Sequence, residues 1–476
     1  MQKLVAVLGG GLAGLSACYH LSRSSKVSKI LLLEGGDRFG GWLSSIRRND
    51  GAVFECGPRG VRPAGPVGRN TLNMLTELGL ESEVLPITSD HVASKNRFLY
   101  LRGQLHKMPS GLGGLVWTVP PFSRPLLQSA LKEIFISRGK EEDETVHAFV
   151  ERRLGTELAD IAIDSLCRGV FAGDCRQLSM RSCFPPLFNA ERTMGSIFIG
   201  MVLGAGGGPD VPTSQLAQRS SKESWTMWSL RRGMQTLPEA LVEALKQAEH
   251  VDIHRNASVK SLTRDDRGWE IQLEDGTVKA DHIISALPAQ ALAPVLPPAA
   301  GFLSQLLLEI SMVSVVVVNL EYEGSILPLL GFGHLVPSSE DSGLLGVVYD
   351  SVQFPQHNRP GASTTRLTVM MGGAWFQEEF GAPEDHTSQR LLGRATRAVS
   401  CHLGVTAEPL WSSVAVHKAC IPQYNLGHWN RLERIRNYIS HHGLPLTVAG
   451  ASYDGVSVND VIFSGKKAAE NLVGNI

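Results

Sequence analysis

The chain has 476 residues, 43% of them apolar and 19% charged, with a formal net charge of -1 at pH 7. That length predicts two or three domains rather than one core, and the mixed, near-neutral charge excludes a basic nucleic-acid-binding surface. Seven cysteines, scattered and without a Cys-x-x-Cys pair, read as reduced structural thiols and exclude an ordinary zinc site, so no bound metal is expected.

From the amino terminus, LVAVLGGGLAGLSACYHLSRS predicts a buried strand, a tight glycine turn and an amphipathic helix, and KILLLEGG a second buried strand. Gly9, Gly11 and Gly14 satisfy G-x-G-x-x-G, with Gly10, Leu12 and Ala13 between them. The first glycine permits the turn, the second lets the backbone approach a pyrophosphate, and the third lets helix pack on strand. The helix N-terminus adds free N–H groups and partial positive charge. Glu34, at the end of the second strand and followed by Gly35, is placed to accept hydrogen bonds from ribose hydroxyls. Because an apolar strand starts at Leu4, no cleavable presequence is expected, and organelle import would use internal information.

The next stretch, GGDRFGGWLSSIRR and then FECGPRGVRPAG, separates nicotinamide from flavin. Glu34, Arg38, Gly40 and Gly41 together resemble the extension of glutathione-reductase-like FAD families, especially the amine oxidase and phytoene desaturase branch. In those families the arginine and paired glycines line the ribityl and pyrophosphate region. Basic pairs such as Arg47-Arg48 are expected to be solvated surface.

In RFLYLRGQLH, period-2 alternation around Arg102-Gly103 predicts a hairpin, with Arg97 able to point from its first strand into a cavity. Residues 109–225 read as mainly helical. Within them the uncharged runs at 109–123 and 193–209 are expected to be buried core rather than a bilayer-facing surface. Residues 228–245 predict a helix with Pro238 in its first turn. Residues 251–289 then predict three or four strands with Asp-Arg-Gly and Asp-Gly turns, ending in DHIISALP as a buried parallel strand. The uncharged run at 282–308 contains Pro288, Pro294, Pro297 and Pro298, which exclude a continuous spanning helix. Residues 305–425 are strand-rich, with SMVSVVVVNLEYE, GHLVP, LLGVVYDS and TRLTVMMGG as strands. Residues 444–473 predict a strand, a Gly-rich turn and a closing helix capped by Ser457, Asn459 or Asp460.

These elements predict an α/β fold. Its discontinuous glutathione-reductase-like FAD-binding domain comprises residues 1–90, 228–290 and 440–476. A mixed α+β substrate domain takes residues 91–108 and 305–425, and a mainly helical insert takes 109–225.

GGGLAGL, the Gly57-Pro58-Arg59-Gly60 turn, NRFLY, DSLCRGVFAGD, RSCFPPLF, GFGHLVPSSED and AGASYDGVSVND, in this order and spacing, resemble the animal protoporphyrinogen oxidase family over essentially the whole chain. The resemblance implies oxygen-dependent, six-electron oxidation of protoporphyrinogen IX to protoporphyrin IX in three flavin cycles, with three O2 reduced to hydrogen peroxide. This is the penultimate step of haem biosynthesis. It also implies one noncovalent FAD per chain, because the C-terminal segment lacks the cysteine that carries covalent FAD in monoamine oxidases.

Carried over residue by residue, the flavin contacts fall on Gly9 to Gly14, Glu34, Gly35, Trp42, Gly57, Pro58, Arg59, Gly60, Val259, Ala451, Val456, Ser457 and Val458. Arg59 is left as either a ligand or a turn-stabilising charge. The substrate contacts fall on Arg97, for a propionate, and on Gly169, Phe332, Leu335 and Met370 as cavity walls. No catalytic side chain is assigned, since hydride passes to the flavin N5 and the protein mainly positions. The resemblance further implies that the helical insert is membrane-associating, in a peripheral homodimer on the intermembrane-space face of the mitochondrial inner membrane, with hand-over to ferrochelatase. The competing readings are a flavin amine or polyamine oxidase and a non-catalytic flavin-binding scaffold.

Overall fold

The computed structural model describes residues 3–202, 213–265, 268–382 and 387–475. The glycine-rich end of the 193–209 run and Asp266-Arg267 of the Asp-Arg-Gly turn lie outside the described residues.

A five-stranded parallel sheet organises the first unit. Its centre is β1 (Lys3–Leu8), followed by the helix α1 (Leu12–Leu21) and β2 (Val27–Leu33). Across the sheet the order is Leu446–Val448, His282–Ser285, β1, β2 and Val251–His254, so three separated segments of sequence contribute strands. Alternation along β1 explains why both faces are covered. Val5 and Val7 join the core beneath α1, whereas Ala6 and Leu8 join a second core containing Trp269, Ile271 and Leu303. The closing helix, here α2 (Val458–Asn475), lies across α1. A Cβ on Gly465 would sit 2.2 Å from the Ala13 carbonyl oxygen, so this crossing tolerates only glycine.

The second unit is a seven-stranded sheet in the order Trp411–Pro422, Met312–Glu323, Thr364–Gly373, Leu344–Val348, Gly333–Leu335, Phe98–Leu101 and Gln104–Lys107. Its pairs are antiparallel except for Gly333–Leu335 with Phe98–Leu101. Arg102 and Gly103 both take left-handed φ, 53° and 73°, as a two-residue hairpin turn requires. One face, with Val316, Val318, Leu320 and Tyr322, packs on the 16-residue helix Ser388–Leu403 through Leu391, Ala395 and Val399. The other face presents Val313, Val315, Val317, Leu345 and Met370 towards Ala172. Residues 305–425 are thus less purely strand than their β-branched runs suggest, because the amphipathic Ser388–Leu403 helix covers the sheet.

Between these units, short helices from Gly111–Val116 to Gln215–Lys222 surround a core of Val146, Phe149, Cys167, Phe171, Leu178 and Phe188. The expectation that the uncharged runs here are buried holds only in part among the described residues: Phe122 and Ile197 are buried, but others are not. Val116 and Trp117 are 49% and 73% exposed, and Phe198 and Met201 of the second run also face outward. The helices are too short to wrap their apolar residues fully, and Trp117 stands at the carboxyl end of one of them. Of the Arg47-Arg48 pair, Arg47 is exposed surface as expected, whereas Arg48 is half-buried. Arg47 bonds Glu239 at 2.8 Å, and Arg48 joins Glu321 of the seven-stranded sheet.

Candidate functional site

At the carboxyl end of β1, Gly9 takes φ +98° and turns the chain into α1. A Cβ on Gly14 would lie 1.9 Å from the Gly9 carbonyl oxygen, which accounts for the third glycine of the motif. Gly11 differs: a Cβ there would meet nothing nearer than the Gly41 Cα at 4.0 Å. The Gly40-Gly41 loop lies against the turn, the Gly40 amide donating to the Gly10 carbonyl at 2.8 Å, while the side-chain position at Gly11 itself is left without close contacts. Arg38 shapes that loop by donating to the Leu43 carbonyl at 3.1 Å and to the Gly41 carbonyl. Glu34 already accepts the Gly10 and Gly36 amides, each at 2.7 Å, which fixes its carboxylate beside the turn with lone pairs to spare. Gly35 and Gly36 are backed by the segment holding Val259: the Ala257 amide donates to the Glu34 carbonyl at 2.8 Å, and Ser258 lies against Gly35.

The distant carboxyl-terminal segment closes over the same place. Gly450 lies above Ala13, with an ideal Cβ 3.5 Å from the Ala13 Cβ, and so carries Ala451 to the start of α1. Of the three potential caps for α2, Ser457 fills the role. Its Oγ accepts the Asp460 amide at 3.2 Å, and the Asp460 carboxylate accepts back from the Ser457 amide at 3.3 Å, a reciprocal capping box. Asn459 instead donates to the Arg62 carbonyl at 2.7 Å and ties the α2 N-terminus to the segment after Gly60.

Gly57 and Gly60 are in close quarters: a Cβ on Gly57 would lie 2.1 Å from the Trp42 carbonyl oxygen, and one on Gly60 would lie 2.2 Å from the Met227 Sδ. Between them Arg59 is buried and donates through Nη1 to Asp350 at 2.8 Å. Its Nη2 is buried with no partner. That orphaned donor and the uncrowded Gly11 position at the α1 N-terminus fit an anionic dinucleotide lying along the turn.

The substrate candidates fall into neighbouring groups. Arg97 holds its guanidinium over the Phe332 ring, 5.4 Å from the centroid, and no carboxylate partners it among the described residues. Burial and, secondarily, the nearby Arg62 charge lower its pKa from the ordinary arginine value. Phe332 packs against a cluster of Leu85, Ile87, Met227 and Phe354. Leu335 fills the space that a side chain at Gly169 would take, 2.8 Å from an ideal Cβ there. Leu335, Gly346 and Met370 lie side by side across three adjacent strands, which puts them in one row of the sheet.

His417 joins the two halves and was not assigned from sequence. It is paired with Val315, on the same face as Met370, and its Nε2 lies 2.6 Å from the Cys56 carbonyl oxygen. Its ring meets Trp42 edge-on at 5.3 Å. Burial lowers its pKa, favouring the neutral imidazole. Asp350 was also missed. The only local signal for either is a polar residue interrupting a β-rich run, which many surface residues share.

A glycine turn, a capped closing helix and an apolar row on the sheet that His417 ties to Trp42 and Cys56 define a flavin-dependent oxidoreductase. The family described as flavin containing amine oxidoreductase matches residues 12–473. Protoporphyrinogen oxidase of Homo sapiens is 51% identical over 477 residues, covering all of this chain and 99% of that protein. Coproporphyrinogen III oxidase of Bacillus subtilis is 25% identical over 492 residues, covering 99% and 98%. A solved structure from Exiguobacterium sp. 255-15 superposes with a TM-score of 0.81 at 23% identity over all of both chains, a likeness of fold. The chain belongs to the flavin containing amine oxidoreductase family and, within it, to the protoporphyrinogen oxidases.

Proposed function

We propose that this protein oxidises protoporphyrinogen IX to protoporphyrin IX, using noncovalent FAD and O2, one FAD per chain. The observation that carries the proposal is the Arg97–Phe332 pair: a guanidinium with no carboxylate partner among the described residues, at the edge of an apolar wall, suits a flat, apolar ring system bearing carboxylates. FAD, when bound, supplies the acceptor for hydride from a substrate carbon and the reaction of the reduced cofactor with O2. Gly9 to Gly14, Glu34 and Arg59 hold the dinucleotide. The α2 N-terminus, tied through Asn459 to the Arg62 carbonyl, adds partial positive charge. Phe332, Leu335 and Met370 exclude water from the tetrapyrrole face, while Arg97 fixes its orientation. The substrate's methylene bridge is a good hydride donor because adjacent pyrroles delocalise the developing cation. Its N–H protons leave to water or by tautomerisation, so the chemistry does not demand a strong protein base.

The helical region forms the membrane-facing surface of a peripheral protein. Trp117 and Phe135, 73% and 88% exposed, stand with Leu131 and Met201 among exposed Arg124, Lys132 and Arg138, a mixture suited to an acidic bilayer surface. Among the described residues no helix is long and apolar enough to cross a membrane. The full proposal places a homodimer on the intermembrane-space side of the mitochondrial inner membrane, passing product to ferrochelatase.

The test is aerobic incubation with protoporphyrinogen IX while porphyrin fluorescence, O2 and hydrogen peroxide are followed. Three O2 consumed per porphyrin formed is the expected result. Turnover of amines or polyamines without porphyrin formation would overturn it.

A further inference from the structure

Tyr424 follows the Trp411–Pro422 strand and is 3% exposed. Its ring stacks on His428 with centroids 4.1 Å apart. Its hydroxyl donates to the Ala451 carbonyl at 2.5 Å and accepts the Gly455 amide at 2.8 Å. A phenol has one proton to donate, and here donor and acceptor capacity are both spent on the main chain of a single turn.

That turn lies between two anchored points. On one side Gly450 rests over Ala13 of α1; on the other, the capping box at Ser457 and Asp460 starts α2. Tyr424 is the side chain that bridges the turn between them. Its own backbone belongs to a seam with the helical region. The Ser179 amide donates to the Tyr424 carbonyl at 2.8 Å, and the Leu426 amide donates to the Gln177 carbonyl at 2.9 Å. Gln423 Nε2 donates to the Phe171 carbonyl at 2.9 Å, at the end of the Asp164–Phe171 helix that carries Gly169. Val456, just beyond the turn, packs against the core of the helical region.

We infer that Tyr424 is a positioning residue for the flavin: its hydroxyl fixes the turn at 451–455 against the cofactor, and its backbone couples that turn to the helical region. The inference rests on the flavin-binding reading given above. A turn already held in its cofactor-bound shape loses less freedom on binding, so the hydroxyl raises flavin affinity without touching the ring. Tyr424→Phe leaves the Gly455 amide without its acceptor and the Ala451 carbonyl without its donor.

The test uses the full-length holoprotein. The dissociation constant for FAD is measured from the fluorescence of released cofactor, and the absorption envelope of bound flavin is recorded. Tyr424→Phe is expected to weaken FAD binding about tenfold and to displace the flavin bands. Tyr322→Phe, which alters another buried tyrosine in a different core, is expected to change neither. Tyr424→Phe with wild-type affinity and spectrum, or Tyr322→Phe with the same shifts, would overturn the inference. Wild-type protein that binds no flavin would instead refute the flavin-binding reading. Should Tyr424→Phe fail to fold, hydrogen exchange of the wild-type apoprotein decides: a Gly455 amide already protected without FAD supports the inference, and one that exchanges freely until FAD is added overturns it.

Discussion

The Arg59 guanidinium donates to the Asp350 carboxylate at 2.8 Å, and Thr368 Oγ1 donates to the other carboxylate oxygen at 2.7 Å. This joins the Gly57–Gly60 turn to the seven-stranded sheet across a buried seam. Removing one partner of a buried pair leaves an uncompensated charge, a loss that usually exceeds what the intact pair contributes. Asp350→Leu should lower unfolding free energy by about 3 kcal/mol, measured by denaturant titration of the apoproteins, since Arg59 also contributes to cofactor binding. Arg59→Met combined with Asp350→Leu should recover part of that loss, because no charge is then stranded. A double variant less stable than Asp350→Leu would show that the pair is not the coupling element.

Gly11 and Gly14 should respond to substitution in opposite ways. Gly11 has φ -72° and ψ -179°, open to any residue, and its nearest neighbour to an added Cβ is 4.0 Å away. Gly11→Val should fold with an apoprotein melting temperature near wild type yet bind FAD about 100-fold more weakly, because its side chain fills the pyrophosphate approach. Gly14→Ala pushes a methyl against the Gly9 carbonyl and should lower stability by about 2 kcal/mol even without cofactor. Calorimetry of the apoproteins together with FAD titration separates the two.

The difference between those glycines marks what a sequence can carry. The strand, turn and helix at residues 3–33 are legible because a continuous apolar run and glycine spacing are local signals, although α1, expected to be amphipathic, is buried on nearly all sides. The hairpin around Arg102-Gly103 and the β-branched runs at Met312–Glu323 and Thr364–Gly373 are legible for the same reason. Trp411–Pro422 is not: only Cys420 and Pro422 of its residues are buried, so its alternation is blurred. His417 and Tyr424 gain their partners from chain segments 361 and 27 positions away, and Arg59 from one 291 positions away. Such pairs leave no periodic trace. The outward-facing Trp117 escapes for a related reason, since an apolar run does not say which of its sides lacks a neighbour.

Arg97→Ala should separate substrate binding from cofactor binding. The guanidinium rests on Phe332 and has no carboxylate partner among the described residues, so its loss strands no charge within the protein. With protoporphyrinogen IX as substrate, kcat/KM should fall about 30-fold, roughly the 2 kcal/mol of a charge-assisted hydrogen bond, mainly through KM. Bound FAD, read at its visible bands, should remain at the wild-type level. Esterifying the substrate carboxylates should weaken wild-type turnover and leave the variant unchanged.

Glu55 gives the protein a stability term that runs against the usual direction with pH. It is 5% exposed, and burial pushes its pKa up from 4.5 to about 7, against the opposing bonds from the Met234 amide at 2.7 Å and Ser45 Oγ at 2.8 Å. In the unfolded chain the carboxyl releases its proton near pH 4.5, whereas the native state keeps it until about pH 7. The native state thus binds more protons between those values, and stability from this group falls as pH rises through that window, by on the order of 3 kcal/mol in all. Buried neutral histidines act oppositely. His334 and His402, with pKa values lowered by burial to about 3 and about 4, cost stability as pH falls below about 6.5, where the unfolded imidazoles charge. The two slopes overlap in wild type, so the informative quantity is a difference. Glu55→Gln keeps an oxygen for the Met234 amide and an NH2 for Ser45 while removing the proton equilibrium. Denaturant titrations at pH 5, 6, 7 and 8 should show the variant gaining on wild type at each step, with the gain levelling above pH 7. A constant difference across that range would show that Glu55 titrates near its ordinary value in the folded protein.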